Sequence, residues 1–372
     1  MEFNELTYAC ALNRIFSNNT LLAKSIAEYF HYPSELFATE EEKLKELFRN
    51  NEKYIPLIRD KRLLEECSRE VIWCEKNGIK IICYNDTQYP KRLKECPDSP
   101  AILFLKGEIL PDQQRMIAVV GTRKPTPYGI RACREIIQEL SKLSPKPVIV
   151  SGLAYGIDIC AHEAALESGC KTIAVMGTPI ELIYPLPHSN KAEQICKEGA
   201  LISEYNKGSI TLPHHFLQRN RIIAGLCDAT VLIESKLKGG GMVTASIANS
   251  YSREVFALPG RTTDITSSGC NALIENNIAK LITSAQTISK DMGWESPPVK
   301  RNKKSKFQNL LEQYDGIKRN ILLTLWADLN IDHSSLIERC NDNPSKVLAA
   351  ITELEIEQVI NRDIYGYYHI NI

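Results

Sequence analysis

The sequence predicts an α/β fold whose centre is a doubly wound parallel sheet, with a helical domain before it and a small, mainly helical domain after it. Short apolar runs in the middle of the chain mostly end in Gly or Ser, as strands buried on both faces do. Helical patterns lie between several of these runs, and that alternation is typical of a parallel sheet. Both ends of the chain show helical periodicity instead.

The N-terminal domain is predicted to span residues 1–78 and to be helical. Apolar residues recur three and four apart in 21–30 and again in 41–48. The start of the chain carries no basic flank ahead of an apolar core, so we expect no signal peptide.

The sheet domain is predicted to span residues 79–290. Its strand candidates are six apolar runs, at 116–121, 147–152, 171–177, 200–205, 229–235 and 254–260. Helices are expected at 156–169 and 242–253. Because ligands in such sheets bind outside the carboxyl ends of the strands, the loops after the strands are the predicted site.

A basic linker is predicted at residues 291–306, followed by a last domain at 307–372. Residues 295–306 contain two prolines and then five basic residues with no apolar anchor. Helical patterns then recur at 318–326, 333–340 and 343–360. The chain closes on the hairpin pattern "NRDIYGYYHINI".

Composition limits the class of protein and the kind of partner. The 372 residues have a formal net charge of +0, so attraction to nucleic acid has to come from local patches. No apolar run is long enough to span a bilayer. The twelve cysteines include no C-x-x-C pair, so we expect no zinc site, but buried, reduced thiols in a cytoplasmic protein.

The loop after the first predicted parallel strand suits an anion. Gly121 ends the strand and lets the backbone approach a ligand, and Thr122 and Arg123 follow it. An arginine here can fork onto a phosphate; the alternative is a surface arginine paired with a carboxylate. The loop has neither G-x-G-x-x-G nor a P-loop, so no nicotinamide or nucleotide cofactor is expected.

The loop after the second strand contains a Ser151-Gly152 turn and the start of a helix. Asp158 near that start can cap the helix or complement its dipole. His162 lies on an apolar helical face without the second histidine of H-E-x-x-H, which favours a packed histidine over a ligand.

The stretch 214–229 combines aromatic and basic residues. Phe216 precedes Arg219, Asn220 and Arg221, and the chain then turns apolar. Cations that track a backbone beside a ring that stacks on a base are the means of binding single-stranded nucleic acid. Alternatively, the arginines begin a helix and pair with carboxylates while the phenylalanine belongs to the core.

The loop after the fifth strand has two lysines, Lys236 and Lys238, ahead of three glycines that begin with Gly239. Such glycines permit a nest of backbone N–H groups that binds an anion; a flexible surface loop is the alternative. The strand-end loops carry no convincing pair of carboxylates, no Ser-His-Asp set and no metal cluster. This pattern indicates binding without chemistry, so no catalytic residue is expected.

Seven stretches in order along residues 80–285 resemble the DNA-processing protein A family (DprA, also called Smf). They are "VVGTRKPTPYG", "IVSGLAYGIDICAHEAAL", "AVMGTPIELIYP", "LISEY", "FLQRNRIIAGL", "VLIESKLKGGGMVTASIA" and "LPGRTTDITSSGCNALI". The resemblance implies an extended Rossmann-like domain that binds the backbone of single-stranded DNA. It further implies a homodimer that protects incoming DNA in natural transformation and loads the RecA recombinase onto it.

The resemblance also implies a set of DNA-binding residues, matched motif by motif. They are Gly121, Thr122, Arg123, Ser151, Gly152, Phe216, Arg219, Asn220, Arg221, Lys238 and Gly239. The chain departs from the family pattern in three ways. "GGGM" stands where the family has S-G-S-L, and "TLPHH" lacks a lysine that often precedes the aromatic residue. The N-terminal region also lacks the glycine-rich hairpin of helix-hairpin-helix modules.

The last domain resembles the winged helix that some family members carry. The third helix of a DNA-binding winged helix enters the major groove. Here that helix region carries Lys346 but also three glutamates, at 353, 355 and 357. Duplex binding and a protein contact therefore both stay open for this domain.

Two other functions compete with single-strand binding. One is a Rossmann-type enzyme that cleaves nucleoside monophosphates into base and ribose phosphate, which uses the glutamate of P-G-G-x-G-T-x-x-E. Ser246 and Ile247 stand where that carboxylate is needed, which argues against the enzyme. The other is a regulator that binds duplex DNA through the last domain.

Overall fold

The structure is a computed structural model, and its chain divides into two compact units, residues 1–295 and residues 296–372. The residues that it describes are 3–49, 51–294, 307–308, 310–328, 331–363 and 366–371. Residues 295–306 of the predicted linker lie outside this set. The domain boundaries predicted from the sequence, including the one after residue 78, stay predictions.

The N-terminal part of the first unit is helical. Its helices are α1 Glu5–Phe16, α2 Thr20–Tyr29, α3 Pro33–Ala38, α4 Glu41–Leu47, α5 Ile55–Ile58 and α6 Lys61–Lys76, with a 3₁₀ turn at Glu52–Tyr54. The helices predicted at 21–30 and 41–48 are confirmed as α2 and α4. Asn4 caps α1 and Asn19 caps α2, because each side chain accepts a hydrogen bond from a first-turn backbone N–H.

These helices pack directly against the sheet of the same unit. Ala9 and Cys10 of α1 belong to the apolar cluster that also contains Phe104. The Nδ2 of Asn13 donates to the backbone oxygen of Glu204 and to the Oδ1 of Asn206, each at 2.8 Å. The buried amide therefore ties α1 to the end of a sheet strand.

A nine-stranded sheet forms the centre of the first unit, in the order β1-β2-β6-β5-β4-β3-β7-β8-β9. The strands are β1 Ile79–Cys83, β2 Ile102–Gly107, β3 Met116–Val120, β4 Val148–Ser151, β5 Thr172–Val175, β6 Ala200–Ser203, β7 Ala229–Leu232, β8 Glu254–Ala257 and β9 Lys280–Leu281. The six predicted strands are confirmed as β3 to β8. Neighbours from β6 to β9 pair in parallel, whereas β2 pairs antiparallel with both β1 and β6.

Helices cover both faces of this sheet. They are α7 Lys91–Lys94, α8 Pro127–Leu140, α9 Ile157–Glu167, α10 Ser189–Glu198, α11 His215–Gln218, α12 Asn220–Leu226, α13 Gly240–Ser250, α14 Ser268–Glu275 and α15 Ala285–Asp291, with 3₁₀ turns at Leu186–His188 and Ile265–Ser267. Along β3, Ala118 and Val120 face one apolar cluster, while Ile117 and Val119 face another. Both faces of the strand are therefore buried, which is why its sequence is continuously apolar.

The second unit contains helices and a small antiparallel sheet among its described residues. The elements are α16 Gly316–Ala327, β10 Ile331–Asp332, α17 His333–Arg339, α18 Pro344–Ile356, β11 Ile360–Arg362 and β12 Tyr367–Ile370. The sheet order is β10-β12-β11, and β11 and β12 form the predicted hairpin. Lys318 lies between Glu353 and Glu357, with 2.8 Å from its Nζ to each carboxylate, so two of the glutamates on this helix region are paired.

All twelve cysteines are free thiols, and all but Cys83 and Cys196 are buried. Burial raises the pKa of Cys67 to about 12, which keeps that thiol protonated and unreactive near neutral pH. Among the described residues, no cluster of His, Cys, Asp and Glu has the grouping of a metal site. The helices described here all fall short of the length and hydropathy that a membrane crossing requires.

Candidate nucleic-acid interface

A pocket of about 370 Å³ opens at the carboxyl ends of β3 and β7. The two strands are neighbours, but the strands that follow β3 continue toward one edge of the sheet and those that follow β7 continue toward the other. The loops diverge at such a reversal and leave a crevice, where doubly wound sheets bind ligands. The volume lies within the range of sites that bind small ligands.

Most of the predicted DNA-binding residues line this pocket. They are Gly121, Thr122, Arg123, Phe216, Arg219, Asn220, Lys238 and Gly239. Ser151, Gly152 and Arg221 do not belong to its lining. Lys236 also lines the pocket, although it is not among the predicted DNA-binding residues. Its position two residues before Lys238 was the signal that could have identified it.

The loop that carries Arg123 is fixed by its contact with the start of α9. Ile157 donates its backbone N–H to the backbone oxygen of Thr122 at 3.1 Å. Gly156 has a φ of +80°, and a Cβ at this residue would clash with the same oxygen. Glycine is therefore required here for two reasons, backbone conformation and space. The close contact holds the backbone of Arg123 at the rim of the pocket.

The N-terminus of α13 forms another wall of the pocket. Gly239 precedes the helix, and Gly240 and Gly241 begin it. No side chain caps this N-terminus, so its first-turn N–H groups have no side-chain acceptor. Amides without a side-chain acceptor and the positive end of the helix dipole favour an anion at this position.

Exposed cations surround the same pocket. Arg123, Lys236 and Lys238 are each exposed and line it. Within the part of the chain that the structure describes, none of the three forms an ion pair with a carboxylate. A flexible, unpaired cation at a pocket rim is free to contact phosphate.

Arg219 has a different environment from the one predicted for it. Its side chain is buried, and its Nη1 donates to the backbone oxygens of Gly152, at 2.7 Å, and Val175. Burial lowers the pKa of this arginine, and the nearby Asp158 carboxylate opposes that effect. Arg219 thus joins the ends of β4 and β5 and supplies positive charge at the pocket lining. Its assignment to DNA binding stays a prediction.

The side chains of Arg221 and Ser151 also bond to groups inside the protein. Arg221 is buried and forms an ion pair with Glu204, which is itself buried. This is the helix-start alternative that the sequence left open. Ser151 is fully buried and donates from its Oγ to the backbone oxygen of Val119 at 2.7 Å. For these two residues the structure supports positioning roles, because neither side chain reaches the surface.

Phe216 supplies the aromatic surface of the pocket. It lies on α11, is half-buried and lines the same pocket as the glycine turn at the start of α13. The neighbouring Asn220 also lines the pocket, at the start of α12. A ring beside exposed cations is suited to stacking on a base.

The pocket has little acid–base chemistry to offer. Of the described residues that line it, Asp158 is the one carboxylate, and burial raises its pKa while Arg219 opposes that shift. Glu234 lies close by, but its carboxylate accepts from the N–H of Thr126 at 2.8 Å and from its hydroxyl at 2.6 Å. Glu234 therefore holds the start of α8 and does not line the pocket.

His162 is a packed histidine, as predicted. It is fully buried on α9, and its Nδ1–H donates to Thr172 Oγ1 at 2.7 Å, because that hydroxyl itself donates to a backbone oxygen. Burial lowers the pKa of His162 to about 3. The ring is therefore neutral at physiological pH and is no ligand of the pocket, whose lining does not include it.

A family profile described as DNA recombination-mediator protein A matches residues 80–293 of the chain. The chain is 42% identical over 203 residues to the DNA processing protein DprA of Streptococcus pneumoniae, covering 55% of this chain and 71% of that protein.

Solved structures similar to this one include two of DprA. The X-ray structure of DprA from Streptococcus pneumoniae has a TM-score of 0.56 and 34% identity, covering 69% of this chain and 95% of that one. The structure of DprA from Helicobacter pylori has a TM-score of 0.52 and 32% identity, covering 57% of this chain and 95% of that one. The latter structure concerns the single-stranded DNA binding mode of the Helicobacter pylori protein.

Proposed function

The chain belongs to the DNA recombination-mediator protein A family, and from that premise we propose that it binds single-stranded DNA in the pocket between β3 and β7. The observation that carries the proposal is the combination of exposed, unpaired cations, an uncapped helix N-terminus and an aromatic ring around one space. The Helicobacter pylori relative, which binds single-stranded DNA, supports the same function.

The arrangement favours single strands over duplex for a physical reason. Arg123, Lys236 and Lys238 can contact phosphates of either form, and such contacts carry no sequence information. Phe216 needs the open face of a base, which a duplex keeps inside its own stack. Binding is therefore selective for single strands and tolerant of sequence.

In this proposal the site binds DNA and catalyses no reaction. An enzyme that cleaves nucleoside monophosphates needs a carboxylate free to act on the substrate, whereas Asp158 is buried beside Arg219. Ser246 on α13 has no carboxylate to offer. Steady release of free base from nucleoside monophosphates by the purified protein would refute this part of the proposal.

The wider role follows from the family. We propose that the chain acts in the cytoplasm as a homodimer, protects incoming DNA in natural transformation and homologous recombination, and loads the RecA recombinase onto single strands. Light scattering on the full chain should give twice the mass of one chain. Purified RecA should form filaments faster on single strands that this protein has covered.

The direct test of the proposed function is a comparison of single-stranded and duplex oligonucleotides. Fluorescence anisotropy with labelled strands of equal length, titrated at several salt concentrations, gives both the affinity and its salt dependence. Single strands should bind at least roughly tenfold more tightly than blunt duplex, since the duplex lacks the stacked base. Equal affinity for the two forms would overturn the proposal.

A further inference from the structure

A second aromatic ring stands beside Phe216 on the outer side of the pocket. The ring centroids of Tyr184 and Phe216 are 5.1 Å apart, and their planes make an angle of 47°. Tyr184 follows β5, and 53% of its surface is exposed. Tyr184 does not line the pocket itself, so the two rings lead outward from it.

The segments that carry both rings are held in place by the protein. A Cβ at Gly177 would lie 2.8 Å from the Cδ1 of Phe216, so the phenylalanine packs closely on the end of β5. The hydroxyl of Thr178 donates to the backbone oxygen of Leu182 at 2.6 Å, which closes the loop just before Tyr184. The rings are thus pre-organised for a ligand and lose little conformational freedom on binding.

The segment just after Tyr184 is anchored as well. His188 is buried, and its Nδ1–H donates to the backbone oxygen of Leu153 at 2.8 Å. The hydroxyl of Tyr184 makes no hydrogen bond to any described residue. The ring therefore stands on an anchored loop with about half of its surface exposed to solvent.

We propose that Tyr184 stacks on the base next to the one that Phe216 holds, so that a strand leaving the phosphate pocket places two successive bases on two rings. This inference rests on the proposed single-strand binding and names a further residue for it. Two tilted rings offer two separate faces, and every base has a face to stack on. The cations of the pocket favour a ligand whose bases are joined by phosphates over an apolar peptide.

The test changes the ring while it leaves the phosphate contacts intact. Tyr184→Leu removes the aromatic face but keeps apolar bulk, and Tyr184→Phe keeps the face but removes the hydroxyl. Tyr32→Leu is the matched control, because Tyr32 is also 53% exposed but lies among the N-terminal helices, where its ring partner is His31. Melting curves of the variants report whether each one is folded.

The variants are titrated with oligo-dT and with a strand of the same length whose bases have been removed. Tyr184→Leu should bind oligo-dT about 5- to 100-fold more weakly, the range that one stacked base contributes. Tyr184→Phe and Tyr32→Leu should match the wild type on oligo-dT. On the abasic strand all four proteins should bind equally, and the slope of log affinity against log salt should not change, since the tyrosine contacts no phosphate.

A spectroscopic signal reports stacking on its own. An oligo-dT that carries one 2-aminopurine should change its fluorescence on binding the wild type when the probe reaches Tyr184, and Tyr184→Leu should remove that part of the change. The same loss of affinity on the abasic strand would overturn the inference, since the ring would then support the protein and not a base.

The outcomes also separate this inference from the function on which it rests. If the wild type binds single strands with a steep salt dependence and Tyr184→Leu binds oligo-dT just as well, only the inference about Tyr184 fails. If the wild type shows no preference for single strands, the proposed function fails and takes the inference with it. Loss of affinity in Tyr184→Phe as well would point to the hydroxyl and would also overturn stacking.

Discussion

The change Arg123→Ala tests the phosphate pocket most directly. Arg123 is exposed and pairs with no carboxylate among the described residues, and its backbone is fixed by the contact between Gly156 and Thr122. Its removal therefore breaks no ion pair and leaves no buried group unsatisfied. The free energy of unfolding should change by less than about 0.5 kcal/mol, as for other exposed sites without special contacts.

The loss should appear in DNA affinity instead. A charge-assisted hydrogen bond is typically worth ~1.5–3 kcal/mol, which corresponds to a loss of affinity of roughly tenfold to hundredfold. If Arg123, Lys236 and Lys238 each contact one phosphate, the wild type should show a slope of log affinity against log salt of about 2 in magnitude. Arg123→Ala should reduce that magnitude by about a third, because one phosphate contact on a single strand contributes about 0.7.

The assay is fluorescence anisotropy with labelled oligo-dT at four or more salt concentrations, together with a urea melt of the same protein. Arg62→Ala is the control, since Arg62 is an exposed arginine on α6 with no ion pair among the described residues. Arg123→Lys should recover part of the affinity, because an ammonium lacks the bidentate fork of a guanidinium. Unchanged affinity and an unchanged salt slope in Arg123→Ala would refute the assignment of this loop to a DNA phosphate.

Three further predictions concern Arg219, Gly156 and His162. Arg219→Met should lower the free energy of unfolding by roughly 2–5 kcal/mol, because two backbone oxygens lose their donor and Asp158 loses its nearest positive charge; a urea melt equal to that of the wild type would contradict this. Gly156→Ala should cost about 2 kcal/mol or more, since the φ of +80° and the oxygen of Thr122 both exclude a side chain, and calorimetry measures the shift in Tm. The pKa of His162 is about 3 in the folded chain, whereas that of an unfolded histidine is about 6.5, so the unfolded chain binds the extra proton between these pH values. The contribution of His162 to the free energy of unfolding is thus complete above about pH 6.5. It falls by up to about 1.4 kcal/mol per pH unit as the pH drops toward 3. In urea melts between pH 4 and 7, His162→Gln should remove that part of the pH dependence.

Part of the site was predictable because its signals are local. A glycine directly after an apolar run marks a strand end, and such ends gather at one edge of a parallel sheet. This reasoning identified Gly121 and Arg123 and the glycine turn at Gly239, all of which line the pocket. The same signals did not identify β1 at the sheet edge or β2 beside it, and the antiparallel pairing of β2 with β6 depends on a partner far along the chain.

The arginines show where local signals end. In the sequence, Arg219 and Arg221 look as available as Arg123, since all three lie near the end of an apolar run or the start of a helix. Arg219 is buried because it meets backbone oxygens 67 and 44 residues away, and Arg221 because it meets a carboxylate 17 residues away. Only the fold brings those acceptors to the two guanidinium groups.

The sequence by itself therefore determined the strands, the loops that begin with glycine and the edge of the sheet where an anion can bind. Apolar periodicity and the conformational freedom of glycine depend only on residues that are neighbours in the chain. The tertiary structure alone decided which cations face solvent and which rings stand together. Burial and pairing depend on groups that are distant in the chain. The rings of Tyr184 and Phe216, for example, are separated by a 3₁₀ turn, a helix and a strand, but their centroids lie 5.1 Å apart.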